Sequence, residues 1–290
     1  MAAKEEIKSA IQGVIRDLMS RVMHKVMIRD PFVVEEHRAK KPIYAALVPD
    51  EIFKGAHFER RFVTPFGKVW ERIAAAVARK VMGNAEIGYR IKGTVRQQRM
   101  QRIQEVLNKL EHGRSETTDE RTRPDWEVEL KYVLDGGGEP IPTEVICDVY
   151  AWSIDAKKGM AFELKAPLPN SDQTKVSKEK ILKLYAMDPT QVGGAYYALP
   201  YNPYGRERTD YRWGIPGRWF NMQADPVVLI GREFWDALGG PGTYEAFIDA
   251  VNELGGDYRD RIYRDYLGME PPEEPGRTFT IREENAPYEP

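Results

Sequence analysis

The chain has 290 residues, enough for one large domain or two small ones, and is 42% apolar and 30% charged with a formal net charge of −2. No apolar run of about 18 residues and no signal-like segment appears, which places the protein in the cytoplasm. A single cysteine, Cys147, excludes intrachain disulfides and thiolate zinc sites, and the scattered His24, His37, His57 and His112 form no metal-binding pair.

An amphipathic helix is predicted over residues 4–26, where Ile7, Ile11, Val14, Ile15, Leu18, Val22 and Val26 recur at helical intervals. Asp30-Pro31 ends it. Such a stripe is usually buried in its own subunit, although it could also supply a dimer interface. Residues 31–64 read as irregular. A second helix is predicted from Phe66 to Val81, and a third, rich in Arg and Gln, from Thr94 to Leu110. Between Lys92 and Arg123, eight Lys or Arg stand against five Asp or Glu. Arg96, Arg99 and Arg102 therefore offer either a phosphate-tracking face or an ordinary surface helix. The polar stretch from His112 to Arg123 reads as a mobile linker.

Three strands are predicted next: Trp126 to Leu134, Val145 to Trp152, and Met160 to Lys165. Asp135-Gly136-Gly137-Gly138 supplies the first turn. In the first strand, alternation puts Glu127, Glu129 and Lys131 on one polar face. Pro167 and Pro169 break the chain before a Lys-rich helix from Thr174 to Met187. Lys178, Lys180 and Lys183 are spread around its axis and read as solvated surface lysines. A strand near Ala195 to Leu199 follows, then a loop rich in Tyr, Pro, Asn and Arg, and an apolar strand at Val227 to Ile230. Short helices are predicted from Arg232 to Leu238, Thr243 to Leu254 and Tyr258 to Leu267, before a disordered Pro- and Glu-rich tail. The order is that of an α+β protein. It divides into an N-terminal helical region, 1–125, packed on a core, 126–268, with a tail, 269–290.

The chemistry concentrates in two of these strands. Glu163 and Lys165 share a strand face, and a hairpin turn over Ser153 to Gly159 lets Asp148 reach it. Two carboxylates and an ammonium at an apolar edge are costly unless a metal or phosphate compensates them. Asp148, fourteen intervening residues and then Glu163-x-Lys165 resemble the pattern of the PD-(D/E)xK nucleases. A salt-bridged surface hairpin could carry the same residues. Two other Glu-x-Lys triplets, Glu6-Ile7-Lys8 and Glu129-Leu130-Lys131, lack a suitably placed upstream acid.

Longer stretches extend the resemblance. They are Phe58-Glu59-Arg60-Arg61-Phe62-Val63-Thr64 with Gly67 to Ala74, Glu163 to Gln173, Ala198-Leu199-Pro200-Tyr201-Asn202-Pro203-Tyr204-Gly205, and Leu229 to Trp235 continuing to Gly242-Thr243-Tyr244. Spread over about residues 30–255, they resemble a small family of type II restriction endonucleases that cut GGNCC-type sites. The resemblance implies a restriction-endonuclease-like core, a mixed central sheet flanked by helices. It also implies double-stranded DNA as substrate, Mg²⁺ as cofactor, a homodimer on a palindromic target and a cognate DNA methyltransferase as functional counterpart. Asp148, Glu163 and the Leu164 carbonyl would hold metal, Lys165 would stabilise the transition state, and Glu71 would join the site from an early helix. Gln173 and Lys175 would approach the phosphate backbone. Base readout is expected from the loop carrying Asn202, Arg206, Arg208 and Arg212, because arginine reads guanine O6 and N7 bidentately. A non-specific nuclease with the same core, or a non-catalytic DNA-binding protein, remains open at this point.

Overall fold

The computed structural model describes residues 2–114 and 120–272. In chain order the helices and strands begin with α1 (Ala2–His24), α2 (Val34–Lys40), α3 (Pro42–Leu47), α4 (Asp50–Val81), β1 (Asn84–Arg96), α5 (Gln97–His112) and α6 (Trp126–Leu134). They continue with β2 (Pro140–Trp152), β3 (Met160–Leu164), α7 (Ser171–Ala186), β4 (Gly194–Leu199), β5 (Val228–Ile230), α8 (Arg232–Gly239) and α9 (Thr243–Arg261). The described residues fall into two compact units, one within Met1–Ile73 and Glu245–Arg282 and the other within Ala74–Tyr244.

The first unit is helical. The apolar stripe of α1 is spent inside it, since Ile7, Ile11, Ile15, Leu18 and Val22 are all buried. Lys8 and Gln12 both donate to Glu253, which ties α1 to α9. The supposedly irregular segment before Phe66 is mostly helix. Pro42 opens α3, where its missing N–H has no intrahelical partner to lose. Asp50 and Glu51 lie in the first turn of α4, where negative charge is favoured. Phe58, Phe62, Phe66 and Trp70 then repeat every fourth residue, with successive ring centroids 6.3, 5.1 and 5.0 Å apart. That aromatic ladder carries α4 past Pro65.

The second unit is built on a five-stranded mixed sheet in the order β1-β2-β3-β4-β5. β1 and β2 form a long antiparallel ribbon, registered from Asn84↔Trp152 to Arg96↔Pro140. β1 was absent from the expected elements, and the third helix begins at Gln97 rather than Thr94. β3 pairs antiparallel with β2 but parallel with β4, and β4 is parallel to β5. Helices α5, α6 and α7 pack together beside this sheet, and the apolar core includes Ile103, Leu107, Val133, Ile181 and Leu182. The fold is therefore α+β, with a mixed sheet flanked by helices.

Trp126 to Leu134 is a helix, not the expected strand. Asp125 caps it by accepting a hydrogen bond from Val128 N, and Glu129 Oε1 accepts one from Asp125 N. Trp126, Glu129, Leu130 and Val133 face inward at helical spacing, whereas Val128 is exposed. Glu129 pairs there with Lys178 of α7. Lys178 is 0% exposed and stacks over the rings of Trp126 and Phe220, so it is no solvated lysine. Burial pushes the Glu129 carboxyl up and pulls the Lys178 ammonium down, and the pair's mutual attraction opposes both shifts.

Residues 115–119 of the expected linker and residues 273–290 of the expected tail lie outside the described residues. Of the linker's described residues, Thr122 N donates to Gly113 O. Among the described residues no helix is long and apolar enough to cross a membrane.

Candidate active site

The register between β2 and β3 builds the site. The paired residues are Ala151↔Met160, Tyr150↔Ala161 and Val149↔Phe162. One step further along each strand stand Asp148 and Glu163, on the same face. There the ladder stops, although β2 stays paired with β1 as far as Pro140. Leu164 N donates instead to Asp148 Oδ2 at 2.8 Å, and Lys165 N turns to Ala198 O of β4 at 3.0 Å. The result is a notch at the carboxyl end of β3, where open sheets with parallel strands commonly place their ligands.

Lys165 fills the notch. Its Nζ lies 2.9 Å from Asp148 Oδ2, 3.4 Å from Glu163 Oε2 and 2.9 Å from Leu164 O. Glu163 is 2% exposed, a position that an ionised carboxylate holds only with compensation. Lys180, reaching from α7, provides it, with Nζ 2.8 Å from Oε1 and 3.0 Å from Oε2. Lys180 is thus part of this cluster and not the surface lysine expected. Charge balance was the available signal, since two acids at an apolar edge beside a single lysine leave one negative charge unmatched.

Burial and the neighbouring Asp148 charge push the Glu163 carboxyl up, while Lys165 and Lys180 pull it back. Burial pulls Lys165 down, but the charges and hydrogen bonds of Asp148 and Glu163 more than offset that and leave it raised. Lys165 is therefore an ammonium at neutral pH. Cys147, beside Asp148, is buried and its thiol is pushed up to about 12, chiefly by desolvation. It is an inert packing residue.

Asp148 and Glu163 turn carboxylate oxygens, and Leu164 its carbonyl, toward one point now held by the Lys165 ammonium. Hard oxygen donors around a cationic position suit a magnesium-like ion. Among the described residues there is no cluster of three His, Cys, Asp or Glu side chains arranged to cage a metal. The donor set fits an ion that keeps most of its water rather than one enclosed by protein.

The remaining expected residues are distributed as follows. Glu71 lies on α4 within the helical unit. Arg96 is not on α5 but ends β1, where it pairs with Asp188. Arg99 donates to Gly136 O and Ala186 O, and Arg102 to Tyr132 O. These three arginines thus form no common helix face, and each bonds acceptors of its own chain. Gln173 is exposed in the first turn of α7, and Lys175 pairs with Glu111 beside the Trp219 ring. In the long loop after β4, Asn202 bonds Glu207 O and Tyr204 N. Arg208 is tucked inward, donating to Met222 O and Asp225 O, whereas Arg206 and Arg212 are exposed.

That loop is fastened to the segment leaving the active strand. Tyr211 donates to Pro167 O at 2.8 Å, Trp213 to Pro169 O at 2.9 Å and Trp219 to Ser171 Oγ at 3.0 Å. These aromatic clamps were not anticipated. They hold the loop that carries Arg206 and Arg212 against the chain just beyond Lys165.

A mixed sheet flanked by helices, with acids and lysines gathered where β2 and β3 part, is the architecture of a restriction-endonuclease-like enzyme. Residues 7–255 match the family described as "Type II restriction endonuclease, HinfI". The chain belongs to that family and is by class a site-specific endonuclease, with DNA as its substrate. Similar proteins include the type II restriction enzyme HgiBI of Herpetosiphon aurantiacus, 26% identical over 221 residues that cover 74% of this chain and 77% of that protein. HgiCII of the same organism is 27% identical over 217 residues, with the same coverage.

Proposed function

We propose that the protein hydrolyses phosphodiester bonds of double-stranded DNA by PD-(D/E)xK chemistry with Mg²⁺, at palindromic sites of the GGNCC type. The observation that carries this reading is the Lys165 ammonium bridging Asp148 and Glu163, with Lys180 holding Glu163 from behind. Together the two acids and two lysines carry no net charge. The polyanionic substrate therefore gains electrostatic stabilisation in the notch only when a further cation is present.

Asp148, Glu163 and the Leu164 carbonyl are the proposed Mg²⁺ ligands. The bound ion would polarise the scissile phosphate and acidify a water molecule. Lys165, being protonated, acts as a cation and not as a proton acceptor. It donates to the scissile phosphate and stabilises the extra negative charge of the transition state. Lys180 keeps the Glu163 carboxylate ionised and aimed into the notch. Arg206, Arg212 and Asn202 are the proposed readers of base edges, with Gln173 and Lys175 near the backbone. Arg96, Arg99 and Arg102 can contribute only through donors that their own chain leaves over. A palindromic target calls for a homodimer, and a DNA methyltransferase of the same specificity would protect the host.

Digestion of plasmid DNA in Mg²⁺ and in EDTA, alongside Lys165→Ala, tests this. Sharp, Mg²⁺-dependent fragments that disappear in the variant are expected, and sequencing their ends gives the target. A smear would argue for a non-specific nuclease, and cleavage surviving in Lys165→Ala would put the active site elsewhere.

A further inference from the structure

The helical unit contains a basic groove that the proposed chemistry does not use. It encloses about 780 Å³ between α1, the turn after it, and α4. Six cations line it: Arg21, Lys25, Arg60, Arg61, Lys68 and Arg72. Asp30 is the one acid in its lining, and it is engaged by Arg61. Asp17 pairs with Arg21 and Arg72 from the side. The six cations and these two acids leave a local charge of +4, against −2 for the whole chain.

Three of the six, Lys25, Arg60 and Lys68, are exposed and have no carboxylate partner among the described residues. Arg72 keeps Nη1 buried with no acceptor among the described residues. Like charges gathered this closely repel one another unless an anion joins them. The floor is apolar, formed by Leu18, Val22 and Val69. The lining contains no aromatic ring for a base to stack on and no Asn or Gln to read one. From Arg60 to Arg72 the basic wall of α4 extends about 18 Å at the helical rise of about 1.5 Å per residue. That length exceeds a single phosphate and matches several successive phosphates of one DNA strand, spaced about 3.4 Å along the axis.

We propose that this groove is a phosphate-binding site for the backbone of duplex DNA, giving sequence-independent affinity outside base recognition. The proposal rests on the nuclease reading above. It assigns Lys25, Arg60 and Lys68 as backbone contacts, with Arg61 and Arg72 held ready by their carboxylate partners. The groove is a positioning surface and takes no part in bond cleavage.

The test uses the full chain and its Arg60→Gln/Lys68→Gln variant, with Arg60→Glu/Lys68→Glu as a stronger second variant. Binding to labelled duplexes of several sequences is followed by fluorescence anisotropy in EDTA across a range of salt. Loss of two phosphate contacts should weaken binding to every duplex by a similar factor. It should also reduce the slope of log K against log salt by roughly 2, about 0.9 per contact. Circular dichroism and thermal melting show whether each variant is folded, and the conclusion is drawn from the folded one. An unchanged slope, or a loss confined to one target sequence, overturns the proposal. Calorimetry with inorganic phosphate and with a nucleoside triphosphate forms a second arm. Binding there that the variant loses, with duplex affinity intact, makes the groove a site for a free phosphorylated ligand and overturns the DNA assignment. Wild-type protein that cleaves plasmid while the variant keeps its full salt slope removes the groove alone. Wild-type protein that neither cleaves nor binds DNA removes the nuclease reading and this proposal with it.

Discussion

Lys180 donates to both carboxylate oxygens of Glu163, at 2.8 and 3.0 Å, from a helix that begins only six residues after Lys165. The pair joins α7 to the end of β3. Lys180→Met should leave Glu163 with Lys165 as its only cation, so the carboxyl is harder to ionise and less well aimed. We expect cleavage to fall about 10- to 100-fold, equivalent to roughly 1.4–2.7 kcal/mol. The Mg²⁺ concentration for half-maximal rate should rise, and Lys180→Arg should restore part of both. A variant that loses rate and stability together, with unchanged Mg²⁺ dependence, would reduce Lys180 to a packing residue.

The raised Glu163 carboxyl sets a direction for the pH profile. On the proposed chemistry Glu163 works as a carboxylate, so cleavage should fall as pH drops through its raised pKa. A Mg²⁺ ion held by Glu163 would compete with the proton for the same oxygens. Raising Mg²⁺ should therefore move the acid limb to lower pH. Rate–pH curves at two Mg²⁺ concentrations decide it, and superimposable acid limbs would count against metal binding at Glu163.

The reach of the sequence differs sharply between the two halves of the site. Asp148 and Glu163 lie on adjacent strands joined by a short turn, with Lys165 one residue past the end of β3, so alternation and a hairpin suffice to bring them together. Lys180 comes from a helix whose rotation about its axis is set by packing, and no local pattern reveals which lysine meets the buried acid. The same limit hid Lys178, because a buried lysine looks like a solvated one until its partner Glu129 is known to lie on a helix. A strand over Trp126 to Leu134 would not present Glu129 to that lysine, whereas the helix does. Trp126 and Leu130 fit both periods in a nine-residue stretch, Val133 fits only the helical one, and the cap at Asp125 is the deciding signal. β1 carries its own signal in the sequence: Ala85, Ile87, Tyr89, Ile91 and Val95 occupy alternate positions.

The buried pair of Glu129 and Lys178 should be sensitive to single changes and tolerant of a double one. Lys178→Met strands a carboxylate at a site already desolvated, which costs about 3–5 kcal/mol in such pairs. Glu129→Leu/Lys178→Met removes both charges and should recover most of that loss. Denaturant melts of the single and double variants measure the coupling. Additive losses would mean the two residues do not depend on each other.

Two arginines of one loop should behave in opposite ways. Arg208 donates to Met222 O and Asp225 O, and lies 3.7 Å from Glu233. Arg208→Ala leaves Met222 O without its donor, at about 1–3 kcal/mol, and Asp225 O with Val228 N alone. It should lower the melting temperature and reduce cleavage only through instability. Arg212 is exposed on the same loop, which Tyr211 and Trp213 fasten beside the chain leaving β3. Arg212→Ala should leave melting unchanged. If Arg212 reads a guanine, its loss costs about 1–3 kcal/mol of discrimination at one position of the target. Cleavage of a substrate set varied one base pair at a time would show that relaxation. Uniform loss across all substrates would make Arg212 a phosphate contact, and no change at all would remove it from the interface.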